Sequence, residues 1–502
     1  VIEMDYVLGL DLGTSSLKGD LLDESGKTVC VASTEYELLT PKSGYNEQNP
    51  NDWVQACYRL FEKMSQKISD FTSNLIGISF SGQMHSLVVA DEDGNALRPA
   101  ILWNDVRTTK QCNDITENFG EEILKITKNL VLEGFTLPKI LWIQENEPEI
   151  WKKVRKIFLP KDYLRYFLTG NFQMDYSDAA GTLLMDIKEK KWSQVILKKY
   201  NIPIEYLPEL VNSFDFVGNL DENIKKSYGF KNNIKIFAGG ADNAVSSLGT
   251  GLNDYETAIA STGTSGVFLS LEDSIHNEYN GKFHLFNHAL PDKYYSMGVT
   301  LSAGQSISWF KDLIAKSESY DKFLSNVSDV PIGSNGLLFT PYISGERTPY
   351  FDSQIRASFI GLNDTHSLDD LKRAVIEGVT FSLKDSQVLM ESLREKEFRR
   401  IISIGGGAKN KEWLQIQADI FNTQVVTLDT EEGPGLGAAM IAAMGVGWFE
   451  TVEECVAHTI TYINKIDPIS ENVAEYKKIY ELYTQVYPYT KDITHALSED
   501  PV

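Results

Sequence analysis

Residues 6–20 read YVLGLDLGTSSLKGD, an apolar run, a short polar turn and the start of a second apolar run. Strand-type residues fill positions 6–10, and Leu17 resumes the apolar pattern after the turn. The pattern predicts a β-hairpin, in which Gly13 lets a ligand approach the backbone without meeting a Cβ atom. An ordinary hairpin turn accounts for these residues equally well, so this stretch alone does not decide between a binding loop and a structural turn.

The polar side chains around this turn have the chemistry of a metal and phosphate site. Asp11 ends the first predicted strand and offers an oxygen ligand suited to Mg²⁺ or to a metal-bound water. Thr14, Ser15 and Lys18 supply hydroxyl and ammonium groups that can meet phosphate oxygens. We therefore expect Asp11 to be a metal ligand and the other three residues to contact phosphate.

A second copy of the motif occurs almost half a chain later. Residues 257–270 read TAIASTGTSGVFLS, again an apolar run, Gly-Thr-Ser and an apolar run. Two separated hairpins of one type predict two related domains whose polar turns face each other across a cleft. A nucleotide's phosphates would fit between them. The sequence lacks the Gly-x-x-x-x-Gly-Lys-Ser/Thr pattern, which disfavours a P-loop enzyme.

Composition and charge restrict the class of partner. The chain has 502 residues, enough for two large domains, and 42% hydrophobic with 23% charged residues is typical of a globular protein. Its 47 Lys and Arg against 70 Asp and Glu give a net charge of −23, which opposes binding to nucleic acid or to an anionic membrane. A polyanion such as ATP would therefore need local donors and a metal ion.

The remaining composition favours a cytoplasmic protein. The four cysteines are far apart and form no Cys-x-x-Cys pair, so neither a zinc site nor a disulfide framework is expected. Residues 1–5 lead directly into a predicted strand, which is not the pattern of a signal peptide. The apolar stretch 436–449 is shorter than the roughly 20 residues that span a bilayer, and it predicts a buried helix.

Two glycine-rich segments follow short apolar strands. Residues 239–243 read GGADN and residues 405–410 read GGGAKN, which places both at carboxyl ends of strands, where open α/β sheets bind ligands. Packing of a helix against a strand would explain the glycines as well. Asp242 follows its glycines directly, so its carboxylate is presented to a cleft and can accept a proton.

Two further polar groups are candidates for binding a polyhydroxylated molecule. Gln83, Met84 and His85 combine an amide, a thioether and an imidazole, and Trp103 with Asp105 adds an aromatic surface and a carboxylate. A lone histidine or tryptophan is more often a structural residue, so each of these assignments competes with simple packing.

Local patterns also predict individual elements. Ser367 and Asp370 predict a capping box for a helix from Leu368 to about Leu389. Residues 87–90 and 99–105 predict a second meander, and residues 106–230 look mainly helical. Tyrosines at 476, 480, 483 and 487 fall on one helical face, which indicates packing.

Taken together, the motifs resemble those of the FGGY carbohydrate kinase family. The resemblance runs from residue 6 to about residue 445 and is carried, besides the hairpins, by residues 81–85, 99–107, 159–163, 177–182 and 342–349. It implies an α/β fold of two actin-like, ribonuclease-H-like domains with a cleft between them. Residues 1–250 would bind the sugar and hold the catalytic base, and residues 251–502 would bind ATP.

The resemblance also implies a reaction. The γ-phosphoryl group of ATP, with Mg²⁺ held by Asp11, would be transferred to a terminal hydroxyl of a ketopentose, expected to be O5 of D-xylulose, and Asp242 would accept the hydroxyl proton. The expected sugar-side residues are Gln83, Met84, His85, Trp103, Asp105, Asp242 and Asn243. The expected ATP-side residues are Thr14, Ser15, Lys18, Gly263, Thr264, Gly304, Gly406 and Asn410.

Other functions remain open on this sequence. Within the family, L-xylulose, ribulose, gluconate and glycerol are alternative acceptors. An actin-like or chaperone-type ATPase would share the fold and both hairpins but turn over ATP regardless of sugar. A catalytically silent sugar sensor should have lost a base or metal ligand, whereas Asp11 and Asp242 are both present. A homodimer is expected only from the resemblance.

Overall fold

The predicted first hairpin is confirmed in the computed structural model, which describes residues 4–431 and 433–499. Strand β1 (Tyr6–Leu12) pairs antiparallel with β2 (Ser16–Asp23), and β3 (Thr28–Glu35) extends the meander. β1 is buried along almost its whole length, as expected for a central strand covered on both faces.

The first sheet is built from the first half of the chain. Its strands lie in the order β13–β14–β5–β1–β2–β3, with β15 also paired to β5. The strands that follow β3 in this half, both those of the sheet and the short ones outside it, are β4 (Glu47–Gln48), β5 (Leu75–Gly82), β6 (Val88–Ala90), β7 (Ala100–Ile101), β8 (Lys156–Phe158), β9 (Gln173–Asp175), β10 (Met185–Asp186), β11 (Lys191–Trp192), β12 (Glu209–Val211), β13 (Phe216–Asn219), β14 (Lys235–Phe237) and β15 (Gly240–Ala241).

The second sheet repeats this plan with the second half of the chain. The strands there are β16 (Thr257–Thr262), β17 (Gly266–Glu272), β18 (His284–Asn287), β19 (Tyr294–Thr300), β20 (Leu338–Thr340), β21 (Ser358–Ile360), β22 (Arg400–Gly405), β23 (Gln424–Leu428) and β24 (Tyr462–Ile466). The sheet order is β18–β19–β17–β16–β22–β23–β24. In the first sheet, β1 has the antiparallel strands β2 and β3 on one side and the parallel strands β5 and β14 on the other. In the second sheet, β16 likewise has the antiparallel strands β17 and β19 on one side and the parallel strands β22 and β23 on the other. The duplication indicated by the two Gly-Thr-Ser turns is thus present in the topology.

Helices cover the sheets and connect the strands. Their bounds are α1 (Pro50–Lys67), α2 (Phe71–Asn74), α3 (Thr109–Thr127), α4 (Thr136–Asn146), α5 (Pro148–Trp151), α6 (Pro160–Thr169), α7 (Tyr176–Ala180), α8 (Gln194–Lys199), α9 (Glu222–Tyr228), α10 (Asp242–Gly249), α11 (Gly304–Ile314), α12 (Tyr320–Leu324), α13 (Leu368–Arg394), α14 (Lys411–Phe421), α15 (Gly433–Gly445), α16 (Val452–Thr459) and α17 (Ser470–Glu499). In the part of the chain that the structure describes, no helix is at once long enough and apolar enough to cross a bilayer.

Several local predictions can be compared with these elements. The capping box at Ser367 is confirmed, although α13 continues to Arg394. The predicted second meander is present in part. The turn at 91–94 forms and Leu87 pairs antiparallel with Ile101, but β6 pairs along its length with β8, and β7 pairs with β4. Short strands β8 to β13 interrupt the segment predicted as mainly helical. Strands of two or three residues are too short to show a period of two.

The buried helix predicted over 436–449 is observed as α15, which ends earlier, at Gly445; it packs on β1 and β5 of the first sheet and against α10. Only glycine fits at the closest approaches. A Cβ atom at Gly9 would lie 2.1 Å from the carbonyl oxygen of Gly435, and one at Gly437 would lie 2.0 Å from that of Val245. The second half of the chain therefore reaches across and fixes the helix that begins with Asp242.

Candidate active site

The candidate base and the candidate metal ligand lie at the same edge of the first sheet. Strand β15 runs parallel to β5 with Gly240 beside Ser81, and Ser81 in turn lies beside Asp11 of β1. Neighbouring strands are about 4.7–4.9 Å apart, so this row brings the end of β15 close to Asp11. Asp242 follows β15 immediately as the first residue of α10.

Burial makes both carboxyl groups more basic, and the charge of Asp11 adds to this effect at Asp242. Burial raises the pKa of Asp242 to about 7, and the charge of Asp11 adds to this, while a hydrogen bond from the Asn243 amide (2.7 Å) opposes it. Burial likewise raises the pKa of Asp11 to about 6, against the lowering effects of Ser81 and Lys18. Near neutral pH, Asp242 is therefore divided between its acid and carboxylate forms and can accept a proton.

The turn of the first hairpin is tied to the predicted sugar side. The indole N–H of Trp103 donates to Thr14 Oγ1 at 3.0 Å. Ser15 is exposed, and its carbonyl accepts a hydrogen bond from the Tyr36 amide at 3.3 Å. Lys18 lies opposite Asp11 in the antiparallel register, so both side chains emerge on one face. Metal-side, phosphate-side and sugar-side candidates thus meet at one end of the sheet.

Gln83 lies beneath this turn. Its amide nitrogen donates to the Gly13 carbonyl (3.4 Å) and to Gln48 Oε1 (3.3 Å), and its amide oxygen accepts from the Ser86 hydroxyl (2.9 Å). Because the side chain is buried with both ends engaged, the geometry gives it a supporting role under the turn. Direct contact of Gln83 with a sugar stays a prediction.

A backbone carbonyl selects one tautomer of the His85 imidazole. Its Nδ1 lies 2.7 Å from the Gly181 carbonyl oxygen, which can only accept a hydrogen bond, so Nδ1 carries the proton. Burial lowers the pKa of His85 to about 3, and the ring is neutral at physiological pH. Its Nε2 therefore offers a lone pair and acts as a hydrogen-bond acceptor. The Phe135 ring packs against the imidazole with centroids 4.6 Å apart.

Met84 and Asn243 meet beside the base. The Asn243 amide nitrogen lies 3.4 Å from Met84 Sδ, and the Tyr295 hydroxyl lies 3.9 Å from the same sulfur. Tyr295 comes from β19 of the second sheet. Its pKa is raised well above the usual value by burial and by the charges of nearby carboxylates, Asp242 foremost. Both halves of the chain therefore contribute side chains around Asp242.

Asp105 does not lie with the cleft-lining side chains. It has no exposed surface, and it accepts hydrogen bonds from the Asn46 amide (2.7 Å) and from Arg107 Nη2 (2.7 Å). Arg107 also pairs with Glu47 at 2.7 Å. These bonds occupy the carboxylate, so the structure gives Asp105 an anchoring role for the segment that carries Trp103, in place of the expected sugar contact.

On the ATP side, the second hairpin turn and a helix N-terminus are joined. The Gly304 amide donates to the Gly263 carbonyl (2.8 Å), and the Ala303 amide donates to the Thr264 carbonyl (3.0 Å). Gly304 opens α11, and a Cβ atom there would lie 2.5 Å from the Gly263 oxygen. The side chain of Thr264 remains exposed. Exposed turn residues beside the positive end of a helix dipole suit a phosphate group.

The glycine-rich loop after β22 lies next to this hairpin. The Gly407 amide donates to Thr262 Oγ1 at 2.6 Å, which places the exposed Gly406 beside the second turn. Asn410 caps α14 by accepting a hydrogen bond from the Trp413 amide at 2.9 Å. The structure thus brings Gly263, Thr264, Gly304 and Gly406 together, with Asn410 at the far end of the loop.

Several cleft residues were not expected from the sequence. His284 and Phe286 of β18 pack against Phe135 and His85 across the two domains, with ring centroids 5.8–6.1 Å apart. Arg347 lies close enough to lower the pKa of both histidines further. The signal for Arg347 was its Ser-Gly-Glu-Arg motif at 344–347, which carries the family resemblance but to which no role was assigned.

A cavity of about 570 Å³ opens beside these residues. Its walls come from both halves of the chain and include Leu132, Glu133, Leu301, Glu346 and Arg347. One of its lining residues, Arg347, lies near enough to His85 to lower the pKa of that imidazole.

A second acidic group requires comparison with the Asp11 site. Among residues 4–431 and 433–499, the acidic side chains clustered closely enough to hold a metal are Asp162, Asp175 and Asp178. Lys161 Nζ lies 2.9, 2.5 and 2.5 Å from these three carboxylates, so an ammonium group already occupies their centre. The group is a buried ion cluster, distinct from the edge that carries Asp11.

Comparison with known proteins places the chain in a family. The model for the FGGY family of carbohydrate kinases matches its N-terminal domain to residues 6–249 and its C-terminal domain to residues 258–446. Xylulose kinases from Lactococcus lactis subsp. lactis (strain IL1403) and Bacillus subtilis (strain 168) are 53% and 48% identical, covering 99% and 98% of this chain and 99% of each relative. A crystal structure described as a xyloylose kinase from Brucella ovis superposes with a TM-score of 0.92 at 32% identity, covering 97% of this chain and 99% of that one. The predicted two-domain α/β fold is confirmed, and the chain belongs to the FGGY family of carbohydrate kinases.

Proposed function

We propose that this chain is a xylulose kinase that transfers the γ-phosphoryl group of ATP to O5 of D-xylulose, giving D-xylulose 5-phosphate and ADP. The observation that carries the proposal is Asp242, a carboxylate with a pKa of about 7 at the sheet edge where sugar-side and phosphate-side candidates meet. The full-length likeness to xylulose kinases supports the choice of sugar.

The residues of the chain would divide the chemistry between them. Asp242 accepts the proton of the O5 hydroxyl. The sugar oxygen O5 bonds to the γ-phosphorus at the same time, and the bond between the γ-phosphorus and the β–γ bridging oxygen of ATP breaks. His85 Nε2 accepts a hydrogen bond from a sugar hydroxyl, because Nδ1 is committed to Gly181. Thr14 and Lys18 at the first turn, and the second turn at 263–264, would face the phosphates. The protein thus acts mainly by positioning, as a loose phosphoryl-transfer transition state requires.

The donor set fits a magnesium ion at Asp11. Mg²⁺ usually retains waters and binds proteins through one or two carboxylates together with substrate phosphates, so a full cage of side chains is not needed. Burial raises the pKa of both Asp11 and Asp242, and the charge of Asp11 raises that of Asp242 further, which marks a site that a divalent cation would stabilise. When bound, the ion neutralises charge on the β- and γ-phosphates. Asp11 would hold it, directly or through water.

We also propose the division of labour between domains. Residues 1–250 would carry the sugar side and the base, and residues 251–502 the ATP side, with a possible homodimer as the assembled form. The location of the sugar-side candidates on the first sheet and of Gly263, Gly304 and Gly406 around the second supports this division.

A coupled ADP-release assay over a panel of acceptors tests the proposal. The panel contains D-xylulose, L-xylulose, D-ribulose, gluconate, glycerol and no acceptor. We expect the highest kcat/KM with D-xylulose and little ADP release without an acceptor. A different preferred sugar would overturn the substrate assignment, and rapid ATP turnover that is indifferent to every acceptor would overturn the kinase assignment. Asp242→Asn, purified in parallel, controls for contaminating kinases.

A further inference from the structure

One short helical turn touches both the base loop and the sugar-side histidine. In α7, the Ser177 hydroxyl accepts a hydrogen bond from the Ala241 amide at 2.9 Å, one residue before Asp242. At the other end of the same turn, the Gly181 carbonyl accepts the His85 Nδ1 proton at 2.7 Å. Helix α7 therefore holds two elements of the site that are far apart in the sequence.

The Ser177 hydroxyl has a fixed orientation. It donates its proton to Asp175 Oδ2, which leaves its lone pairs for the Ala241 amide. Asp175 also caps α7 by accepting from the Ser177 amide at 2.9 Å, and it accepts from the Ser213 hydroxyl at 3.3 Å. All three of these polar side chains are buried, so water does not compete for the bonds.

A buried ion cluster anchors this arrangement. Lys161 Nζ lies 2.5 Å from Asp175 Oδ1 and 2.5 Å from Asp178, and Arg165 pairs with Asp162 at 2.9 Å. None of these carboxylates is exposed, and a buried charge stripped of its partner is strongly destabilising. The position of Asp175, and through it that of Ser177, is therefore tightly determined.

The base loop lies directly on α7 without spare room. A Cβ atom at Gly240 would lie 2.8 Å from Ser177 Oγ and 3.1 Å from Ser213 Oγ. The Ala241 amide donates to the Ser177 hydroxyl, and this bond ties the loop to the helix one residue before Asp242.

We propose that Ser177 is a positioning residue for phosphoryl transfer, which places Asp242 through the Ala241 amide while the same helix turn sets His85 through Gly181. The proposal rests on the role of Asp242 in the proposed function. Without the hydroxyl, the Ala241 amide loses this hydrogen bond to α7, and the loop that ends in Asp242 gains freedom. A base displaced by about 1 Å costs up to about 100-fold in rate.

Ser177→Ala and Ser213→Ala form a matched pair for the test. Both remove one buried hydroxyl from the same Asp175 oxygen, but only the Ser177 hydroxyl hydrogen-bonds to the base loop; Ser213 holds the Gly239 amide through its backbone carbonyl, which Ser213→Ala keeps. We expect Ser177→Ala to lower kcat about 10-fold to 100-fold with KM for ATP unchanged, and Ser213→Ala to remain within about twofold of wild type. The acid limb of kcat/KM in Ser177→Ala should also move to lower pH, because a looser loop readmits water to Asp242.

Equal kcat values and equal pH profiles for the two variants would overturn the proposal. Parallel losses of kcat and of melting temperature in both would also overturn it, because they would reduce both serines to supports of Asp175. Ser177→Cys, which preserves the volume but bonds weakly, replaces Ser177→Ala if the latter does not fold, with the same expected loss of kcat. A wild-type enzyme that phosphorylates no sugar, or an Asp242→Asn variant of normal activity, would instead remove the proposed function and this inference with it.

Discussion

Asp242→Asn separates the chemistry of the base from its shape. The substituted amide has almost the same size and can still accept the hydrogen bond from the Asn243 amide, but it cannot accept a proton at neutral pH. We expect kcat for D-xylulose phosphorylation to fall by about 10² to 10⁴, the usual contribution of a positioned general base. Binding of ATP, measured by calorimetry, should change little.

The pKa of Asp242 sets the expected dependence of kcat/KM on pH. With a pKa of about 7, half of the Asp242 side chains are ionised at pH 7 and, by the titration equation, about a tenth at pH 6. The value of kcat/KM for D-xylulose should therefore fall about tenfold for each unit of pH below 6. His85 does not share this limb, because its pKa of about 3 keeps it neutral throughout.

The same carboxyl predicts a stability difference of known sign. Its pKa in the fold lies above the ordinary value of 3.8, so the stability that it contributes is present below about pH 4 and is lost as the pH rises through about 7. Asp242→Asn removes this loss. Its melting temperature should exceed that of the wild type at pH 8, and the difference should shrink towards pH 4.

Three results would refute this reasoning. The first is an Asp242→Asn variant with kcat within a few-fold of the wild type. The second is an acid limb near pH 4, the ordinary value for an aspartate, which would show that burial does not act on this group. The third concerns Asp11→Asn, which removes the like charge and should shift the limb to lower pH while weakening the Mg²⁺ dependence. An unchanged limb and an unchanged Mg²⁺ titration would contradict the pairing of the two carboxylates.

The remaining predictions concern the two substrate sides and the cleft. His85→Ala should raise KM for D-xylulose at least several-fold and reduce the preference for D-xylulose over D-ribulose, while KM for ATP hardly changes. An unchanged KM for the sugar would give His85 a packing role, and so would equal losses of affinity for both substrates with a lower melting temperature. Gly304→Ala should instead raise KM for ATP, because its Cβ atom would lie 2.5 Å from the Gly263 oxygen, and a rise confined to the sugar KM would contradict that placement. Small-angle scattering should show a smaller radius of gyration with sugar plus a non-hydrolysable ATP analogue than with either alone, and equal radii in all states would mean that the cleft is already closed.

The parts of the fold that could be predicted are those encoded by local period and turn chemistry. Strands in the hairpins at 6–23 and 257–272 have long apolar runs on either side of a short polar turn, and both are present. Ser367 signals its helix through a capping box that involves only neighbouring residues. The meander at 87–105 is present only in part, through isolated bridges such as that of Leu87 with Ile101, because strands of two or three residues are chosen by their partners, here β4 and β8, which lie far away in the sequence.

The candidate site divides along the same line. Asp11, Asp242 and the two turns follow from strand ends and glycines, which are local features. Asp105 was misjudged because its burial depends on the Asn46 amide and on Arg107 folding over it, and no pattern near residue 105 encodes that desolvation. Tyr295 was missed because it approaches Met84 only when the second sheet docks on the first.

The glycines before Asp242 show how packing can produce chemistry. Read as sequence, they either present Asp242 to a cleft at a strand end or let a helix pack against a strand. In the structure, Gly239 has a φ of 73°, and a Cβ atom there would lie 2.2 Å from the Phe80 carbonyl oxygen, so glycine is required for the loop to close on β5. Asp242 lies three residues further on, and burial is the main cause of its raised pKa. Any side chain at Gly239 should therefore lift the loop, rehydrate the carboxylate and lower its pKa, so that the base weakens even though no substrate contact has been removed.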